Sequence, residues 1–205
     1  MKDHFDVLVV CTGNIGRSPM AEALLTHHLA DHGDVFSVRS AGTWARDGDP
    51  MEPGAIAALS EYGLDHPFDS RVLTEQHLAD ADLVLTATRE HRSHVSGKVP
   101  AVVRRCFTLF ELARIIENAP TPPQITGSAV ECAQQRVSWA AQVRGAARPD
   151  QPEVDDLDDP YGAPVEVYRA KAALIDRAAR VIATYLTEGQ NFVETADDRP
   201  STADN

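Results

Sequence analysis

The sequence predicts a single-domain α/β fold, in which a parallel sheet carries helices on both faces. Short apolar runs rich in β-branched residues alternate along the chain with segments whose apolar residues recur at helical spacing. Such alternation is typical of parallel strands joined by helical crossovers. The chain has 205 residues, which is enough for one sizeable core and too few for two.

Four apolar runs are predicted to be strands: "FDVLVV", "VFSVRSAG", "ADLVLTAT" and "AVVRRCF". Helices are predicted at 18–33, 51–62, 108–119, 128–147 and 163–186, with a short helix or turn at 89–97. Thr108 with Glu111 three residues later forms a capping box, which marks the start of the helix at 108–119. The segment 163–186 has one apolar stripe, so one face of this long helix is predicted to pack on the core.

The charge and the cysteine content limit the classes of partner. The formal net charge is −12, which argues against nucleic acid or an anionic membrane as the main partner. The sequence contains no run of 18 apolar residues and no apolar signal segment ahead of "FDVLVV", so a cytoplasmic protein without membrane insertion is expected. Cys11, Cys106 and Cys132 show no metal-like spacing, so no metal site is expected from them. No organic cofactor is expected either. A monomer is the default oligomeric state.

The stretch "CTGNIGRS" (11–18) lies between the first predicted strand and the first predicted helix. Open α/β sheets bind ligands at the carboxyl ends of their strands. Backbone N–H groups at a helix N-terminus favour an anion, and Gly13 and Gly16 allow consecutive N–H groups to converge into a nest. We therefore expect an anion-binding loop at this position.

Cys11 and Arg17 give this loop its predicted chemistry. The field of a helix N-terminus favours the thiolate form of a cysteine held above it, and the thiolate is the nucleophile. The guanidinium of Arg17 can hold two oxygens of a phosphate. A thiolate, a ring of N–H donors and an arginine around one anion indicate in-line attack on a phosphoryl group.

The reaction also needs an acid, because the leaving oxygen must be protonated as the P–O bond breaks. The segment "VDDLDDPYG" offers four aspartates. Asp159 is the predicted acid, because Pro160 holds it in an extended conformation. Tyr161 beside it could stack on an aromatic substrate ring. Asp155 and Asp156 are predicted to belong to a solvated acidic loop.

These motifs resemble those of the low-molecular-weight protein tyrosine phosphatases. The resemblance depends on C-x5-R-S at 11–18, and it is supported by "SAGTW" at 40–44, "SRVLT" at 70–74 and "DDPYG" at 158–162. They occur in the order of the family and at similar distances. The match covers about residues 5–187, which are expected to belong to one phosphatase domain at 1–187.

The resemblance implies a four-stranded parallel sheet and a specific assignment of roles. Cys11 would be the nucleophile and Arg17 the clamp for the phosphate and the transition state. Asp159 would be the general acid, and then the base for the water that hydrolyses phosphocysteine. The implied substrates are proteins that contain phosphotyrosine.

Further roles are implied for residues around the nucleophile. Asn14, Ser18 and Ser40 would support the loop by hydrogen bonds, and the Ser18 hydroxyl would assist the departing thiolate. The phosphate would contact the loop residues Thr12, Gly13, Asn14, Ile15, Gly16, Arg17 and Ser18. The walls of the substrate slot would be Ile15, Trp44 and Tyr161.

The chain departs from the family pattern in three places. Gly16 stands where the family usually has a second cysteine, so oxidised Cys11 has no neighbouring thiol to form a disulfide with. A family histidine that braces the loop would fall near Phe68, whereas this chain has His66, and the role is not transferred. Residues 118–150 are longer than the usual connection and form an extra helical insertion, which could cover the sheet, contact a partner or shape the slot. The polar segment 188–205 is expected to be disordered.

Other functions on the same scaffold stay open at this point. Protein-arginine phosphatases tend to have threonine after the loop asparagine, whereas Ile15 gives an apolar rim that favours an aromatic ring. An arsenate reductase of this fold passes a disulfide along a close pair of cysteines, and Cys106 and Cys132 are far apart in sequence. A reductase that uses an external thiol needs no such pair, so the cysteine positions do not exclude it. A phosphate-binding module without turnover is the remaining alternative.

Two further sets of residues have a structural interpretation. His91 and His94 have i, i+3 spacing, which metal sites use, but no third ligand is evident, so a solvated helix face is expected. Trp44 is predicted either to wall the slot or to be a core aromatic.

Overall fold

The fold is described from a computed structural model of the chain, and the structure describes residues 2–188. The expectation for the segment 188–205 concerns residues that lie outside this range, except for Glu188. Within 2–188, no helix is both long and apolar enough to cross a bilayer.

The four strands form one parallel sheet, as the sequence predicts. They are β1 (Phe5–Cys11), β2 (Phe36–Gly42), β3 (Leu83–Thr86) and β4 (Cys106–Thr108), and their order in the sheet is β2-β1-β3-β4. β1 is the longest central strand and pairs with both β2 and β3, so the loop that follows β1 emerges from the middle of the sheet.

Seven α-helices connect and cover the strands within residues 2–188. They are α1 (Arg17–His28), α2 (Pro53–Ser60), α3 (Glu75–Asp80), α4 (Arg89–Lys98), α5 (Leu109–Asn118), α6 (Ala129–Val143) and α7 (Val165–Thr187). Thr108 caps α5 and exchanges hydrogen bonds with Glu111, so the predicted capping box is present. The predicted helices are confirmed, with ends that differ by a few residues.

Two elements differ from the prediction. The run "AVVRRCF" is not a full strand, because Pro100–Arg105 form a 3-10 helix and only Cys106–Thr108 pair with β3. A short apolar run does not distinguish a strand from a turn that buries one side chain, here Val102. The helix α3 is absent from the prediction, since Leu78 is its only buried residue and its apolar spacing is too sparse to detect.

The sheet separates two layers of packing. α1, α2, α5, α6 and α7 cover one face and enclose the larger hydrophobic core, while α3 and α4 cover the other face over a smaller one. α7 is in contact with α1, α2 and α5, so it holds the helical layer together. Helices on both faces leave the carboxyl ends of the strands as the open edge.

The inserted segment 118–150 contributes to the main core. Ala133, Val137 and Ala140 of α6 are buried in the larger hydrophobic cluster. After α6, the guanidinium of Arg144 lies 4.2 Å from the centre of the Phe107 ring. Residues 118–150 therefore cover part of the core, which is consistent with one of the three roles left open for this segment.

Candidate active site

The loop between β1 and α1 forms the floor of a cleft of about 230 Å³. Cys11 ends β1 and is 2% exposed, and its Sγ lies 2.9 Å from Oγ of Ser18 in the first turn of α1. The backbone N–H groups of residues 13–16 donate no hydrogen bond to any group within residues 2–188. These free donors lie next to a buried sulfur, which is the arrangement that an anion-binding loop requires.

Asn14 holds the loop in shape from beneath. Its φ of 55° is the left-handed conformation, which asparagine tolerates better than most residues. Its Nδ2 donates to Oγ of Ser18 at 2.9 Å and to Oγ of Ser40 at 2.7 Å, and its Oδ1 accepts from the backbone N–H of Arg71 at 2.8 Å. The structure thus brings together the three residues predicted to support the loop.

The support continues into a buried carboxylate. Ser40 donates to Oε2 of Glu22 at 2.5 Å, and Nε2 of His66 lies 3.4 Å from Oε1 of the same side chain. His66, which received no role in the sequence analysis, therefore lies beside the carboxylate at the end of this network. Gly42, opposite Cys11 in the sheet, permits close packing here, because a Cβ would lie 2.4 Å from the carbonyl oxygen of Thr12.

Arg17 connects the loop with the predicted acid. Its guanidinium is buried and donates to Oδ2 of Asp159 at 2.6 Å, to the carbonyl oxygen of Leu157 at 3.2 Å and to Oγ1 of Thr12 at 3.3 Å. Asp159 is about half exposed, with 50% side-chain exposure, so it faces both the cleft and solvent. The predicted nucleophile, clamp and acid thus line one cleft.

The loop that carries Asp159 is anchored by two aspartates that were expected to be solvated, and that expectation is wrong. Asp155 is 5% exposed and accepts two hydrogen bonds from Arg114 of α5, at 3.0 and 2.8 Å. Asp156 accepts from the backbone and the guanidinium of Arg89 at the start of α4. The bidentate pair of Arg114 with Asp155 fixes the orientation of the loop as well as its position.

His91 belongs to the site and not to a solvated helix face, which corrects the expectation. Its Nε2 lies 2.9 Å from Oγ1 of Thr12 in the loop, and its Nδ1 lies 2.6 Å from Oγ1 of Thr88. Burial lowers the pKa of His91 to about 4, and the nearby positive charge of Arg17 acts in the same direction. His91 is therefore a neutral imidazole that bridges α4 and the loop.

The cleft has an apolar wall and one additional carboxylate. Ile15 and Tyr161 line it as predicted, together with Glu52 and Tyr168, which the sequence analysis missed. Trp44 is 80% exposed and is not among the residues that line the cleft, so it is not a core aromatic. No sequence signal marks Glu52 or Tyr168, because only the packing of α2 against α7 brings them to the loop.

The other thiols take no part in this cleft. Cys106 is fully buried in β4, where burial raises the pKa of its thiol to about 12, and Cys132 lies on α6. Neither of them lines the cleft with Cys11. Within residues 2–188 there is also no group of three or more acidic, histidine or cysteine side chains that could hold a metal ion.

A larger cavity lies elsewhere in the described residues. It measures about 830 Å³, and its lining includes Lys2, Arg39 and Arg105 but none of Cys11, Arg17 and Asp159. We assign the site to the smaller cleft, because it combines the Cys11 thiol, the Arg17 guanidinium and the Asp159 carboxyl group. This set can bind a tetrahedral anion, attack it and protonate a leaving group.

Comparison with known proteins identifies relatives with this architecture. The sequence profile described as low molecular weight phosphotyrosine protein phosphatase matches residues 6–115. The probable low molecular weight protein-tyrosine-phosphatase EpsP of Ralstonia nicotianae is 34% identical over 142 residues, which are 67% of this chain and 95% of the relative. The protein-arginine-phosphatase of Bacillus subtilis is 39% identical over 106 residues, 52% of this chain and 71% of the relative. The solved YwlE arginine phosphatase from Geobacillus stearothermophilus has a TM-score of 0.65 at 27% identity, covering 89% of this chain and 93% of the other.

Proposed function

The chain belongs to the low molecular weight phosphotyrosine protein phosphatase family, as its motifs predict, and on that premise we propose that it hydrolyses phosphomonoesters through a phosphocysteine on Cys11. The single observation that carries this proposal is the position of Arg17. Its guanidinium lies at the cleft and contacts the loop beside the nucleophile and the carboxylate of Asp159 at once. In the cell, the protein would act in the cytoplasm on phosphorylated proteins.

The reaction follows from this arrangement in two steps. In the first step the Cys11 thiolate attacks phosphorus, while Arg17 and the free N–H groups of residues 13–16 hold the phosphoryl oxygens. Because Arg17 then turns to the phosphoryl group, Asp159 is freed to donate its proton to the leaving oxygen. The P–O bond of the substrate breaks as the S–P bond forms.

The second step returns the enzyme to its starting state. Asp159, now a carboxylate, takes a proton from water, and the water oxygen attacks the phosphocysteine. The S–P bond breaks, and inorganic phosphate leaves. The Ser18 hydroxyl, 2.9 Å from Sγ, donates a hydrogen bond to the departing thiolate of Cys11. The hydrogen bonds of Ser18 and Ser40 with Asn14 keep this hydroxyl in place.

Phosphotyrosine is the favoured substrate residue. Ile15 and Tyr161 give the cleft apolar and aromatic walls, which suit a flat ring better than a hydrated guanidinium. Protein-arginine phosphatase activity is the second candidate, because relatives with that name are as similar to this chain as the tyrosine phosphatases are. Arsenate reduction through an internal disulfide relay is disfavoured, since Cys106 is buried and does not reach the cleft.

The test is a set of initial rates without added metal on peptides that carry phosphotyrosine, phosphoarginine or phosphoserine. We expect release of phosphate from the phosphotyrosine peptide only, and complete loss of release with Cys11→Ser. Phosphoarginine turnover at a higher rate would replace the substrate assignment and leave the nucleophile unchanged. Turnover that persists in Cys11→Ser would overturn the mechanism. Turnover of none of the three would favour arsenate reduction with an added thiol, or phosphate binding alone.

A further inference from the structure

The side chain of Glu52 lines the cleft, but within the described part of the chain it makes no hydrogen bond or ion pair that stabilises the fold. It directly precedes Pro53 at the start of α2, and its side chain makes no capping hydrogen bond to the helix. Its carboxylate has no hydrogen bond and no ion pair with any side chain among residues 2–188. A carboxylate that contributes neither a cap nor an ion pair is available to a ligand.

The backbone fixes Glu52 relative to the phosphate loop. The N–H of Glu52 donates to the carbonyl oxygen of Ile15 at 2.8 Å, so the start of α2 is attached directly to the loop. On its other side lies Tyr168, whose pKa is raised by burial and also by the negative charge of Glu52. The backbone of Glu52 is therefore fixed next to the phosphate loop, and its side chain lines the cleft.

Once substrate is bound, no cationic side chain that the structure describes in the cleft is left to pair with the carboxylate of Glu52. Among residues 2–188, Arg17 is the only cationic side chain that lines the cleft, and in the proposed mechanism it holds the phosphoryl group. In the same mechanism Asp159 is the proton donor, so it does not add a negative charge at that stage. Arg46, Asp47 and Asp49 follow Trp44 in the chain but do not line the cleft. Glu52 is then the one anionic side chain on the wall, on a protein whose net charge is −12.

We propose that Glu52 selects substrates in which a lysine or an arginine is adjacent to the phosphorylated residue. The cation would pair with the carboxylate of Glu52 while the phosphoryl group lies on the loop. This inference rests on the proposed phosphatase function and adds a determinant of substrate sequence to it. It concerns a residue beside the phosphorylated one, and not the phosphorylated side chain.

The test compares two phosphotyrosine peptides that differ only in the residue next to phosphotyrosine, arginine in one and alanine in the other. For the wild-type chain we expect kcat/KM to be about threefold higher for the arginine peptide, the size of a partly solvated ion pair. Glu52→Gln should bring the ratio close to one, and Glu52→Lys should bring it below one. A ratio between peptides is used because any general effect of the substitution on the cleft cancels.

Glu166→Gln is the matched control. Glu166 lies in the first turn of α7, near Tyr168 in sequence, but it is exposed, does not line the cleft and pairs with Arg169. This variant changes the net charge by the same amount and should keep the wild-type ratio. A ratio that stays near threefold in Glu52→Gln, or that falls equally in Glu166→Gln, overturns the inference.

Failure of the inference and failure of the proposed function give different results. If the wild-type chain hydrolyses both peptides at equal kcat/KM, the role of Glu52 is wrong and the phosphatase function stands. If it hydrolyses neither peptide, the proposed function itself fails. Raising the salt concentration provides an independent check, since a selective ion pair should lose its effect on the ratio as charges are screened.

Discussion

Asp158 and Asp159 are neighbours in sequence with different surroundings, and the difference makes the assignment of the acid testable. Asp159 contacts Arg17 and lines the cleft, whereas Asp158 is 82% exposed and pairs with Lys171 of α7. We expect Asp159→Asn to slow release of poor leaving groups by about 100-fold or more, because protonation by a placed acid contributes about that much. Good leaving groups should be affected less.

Asp158→Asn is the control for that prediction. It removes the same charge from the same loop, so it should change the rates by less than about twofold, in keeping with an exposed ion pair. Rates on a series of aryl phosphates of increasing leaving-group pKa provide the measurement. If the rate of Asp158→Asn depends more steeply on the leaving-group pKa than the rate of Asp159→Asn does, the general acid is Asp158 and not Asp159.

His91 makes a second prediction at the scale of a single residue, about stability and pH. Its pKa is about 4 in the folded chain against an ordinary value of 6.5, chiefly because of burial. Between these values the unfolded chain binds the proton more readily, so the free energy of unfolding falls as the pH falls from 6.5 towards 4. The loss should be about 1 kcal/mol between pH 7 and pH 5, allowing for partial contact with solvent.

The measurement is urea unfolding at both pH values. His91→Gln removes the titrating group, so the difference between pH 7 and pH 5 should shrink. His94→Gln is the matched control, because His94 lies on the same helix but is exposed. An equal reduction of the pH effect in both variants would assign that effect to the helix in general.

Among the elements, α2 and α7 are in close contact beside the site. A Cβ on Gly54 would lie 2.5 Å from Cδ2 of the Tyr168 ring, so the ring lies directly on the start of α2. Alanine has a helix propensity about 1 kcal/mol better than glycine, but overpacking of a core contact costs about 1–3 kcal/mol. We therefore expect Gly54→Ala to destabilise the protein, and also to raise KM because Tyr168 lines the cleft.

Gly97→Ala offers a control with the opposite expected sign. Gly97 lies within α4, and no atom within 4 Å would contact an added Cβ. Here the helix propensity acts alone and should stabilise the chain by about 0.5–1 kcal/mol. Thermal unfolding of the two variants measures both effects, and stabilisation by Gly54→Ala would show that Tyr168 moves without cost.

The sequence predicts elements well where the signal is local. β1 is apolar except for Asp6, and α5 carries both a capping box and an amphipathic pattern, so both elements are found near their predicted places. The predicted strand at 101–107 contains a 3-10 helix instead, because the choice between them depends on which partner Val102 packs against. Pairing partners of this kind are not encoded in neighbouring residues.

In the site as well, residues within short sequence motifs are predictable, whereas residues that only tertiary packing brings to the cleft are not. Cys11, Arg17 and Asp159 belong to compact motifs, so the sequence places them. Glu52 and His91 come from other elements and become part of the cleft and its loop only through packing and hydrogen bonds. A histidine on a short polar helix gives no sign in the sequence that its ring is buried.

At the scale of the whole molecule, the question is whether the inserted helix α6 folds with the rest. The buried side chains of α6 lie in the same cluster as those of α1 and α7, and Tyr185 donates to the carbonyl oxygen of Arg136 at 3.0 Å. Shared burial of this kind predicts one cooperative unfolding transition. The chain has two tryptophans, and Trp139 lies on α6.

Trp44→Phe therefore leaves Trp139 as the only fluorescent tryptophan, because Trp44 is the other one. In this variant the urea midpoint from Trp139 fluorescence should coincide with the midpoint from far-ultraviolet circular dichroism, which reports all helices. Val137→Ala should lower the free energy of unfolding by about 1–3 kcal/mol, as expected when a buried side chain is shortened. Both midpoints should therefore move together to a lower urea concentration. A separate, earlier fluorescence transition would instead show that residues 118–150 unfold on their own.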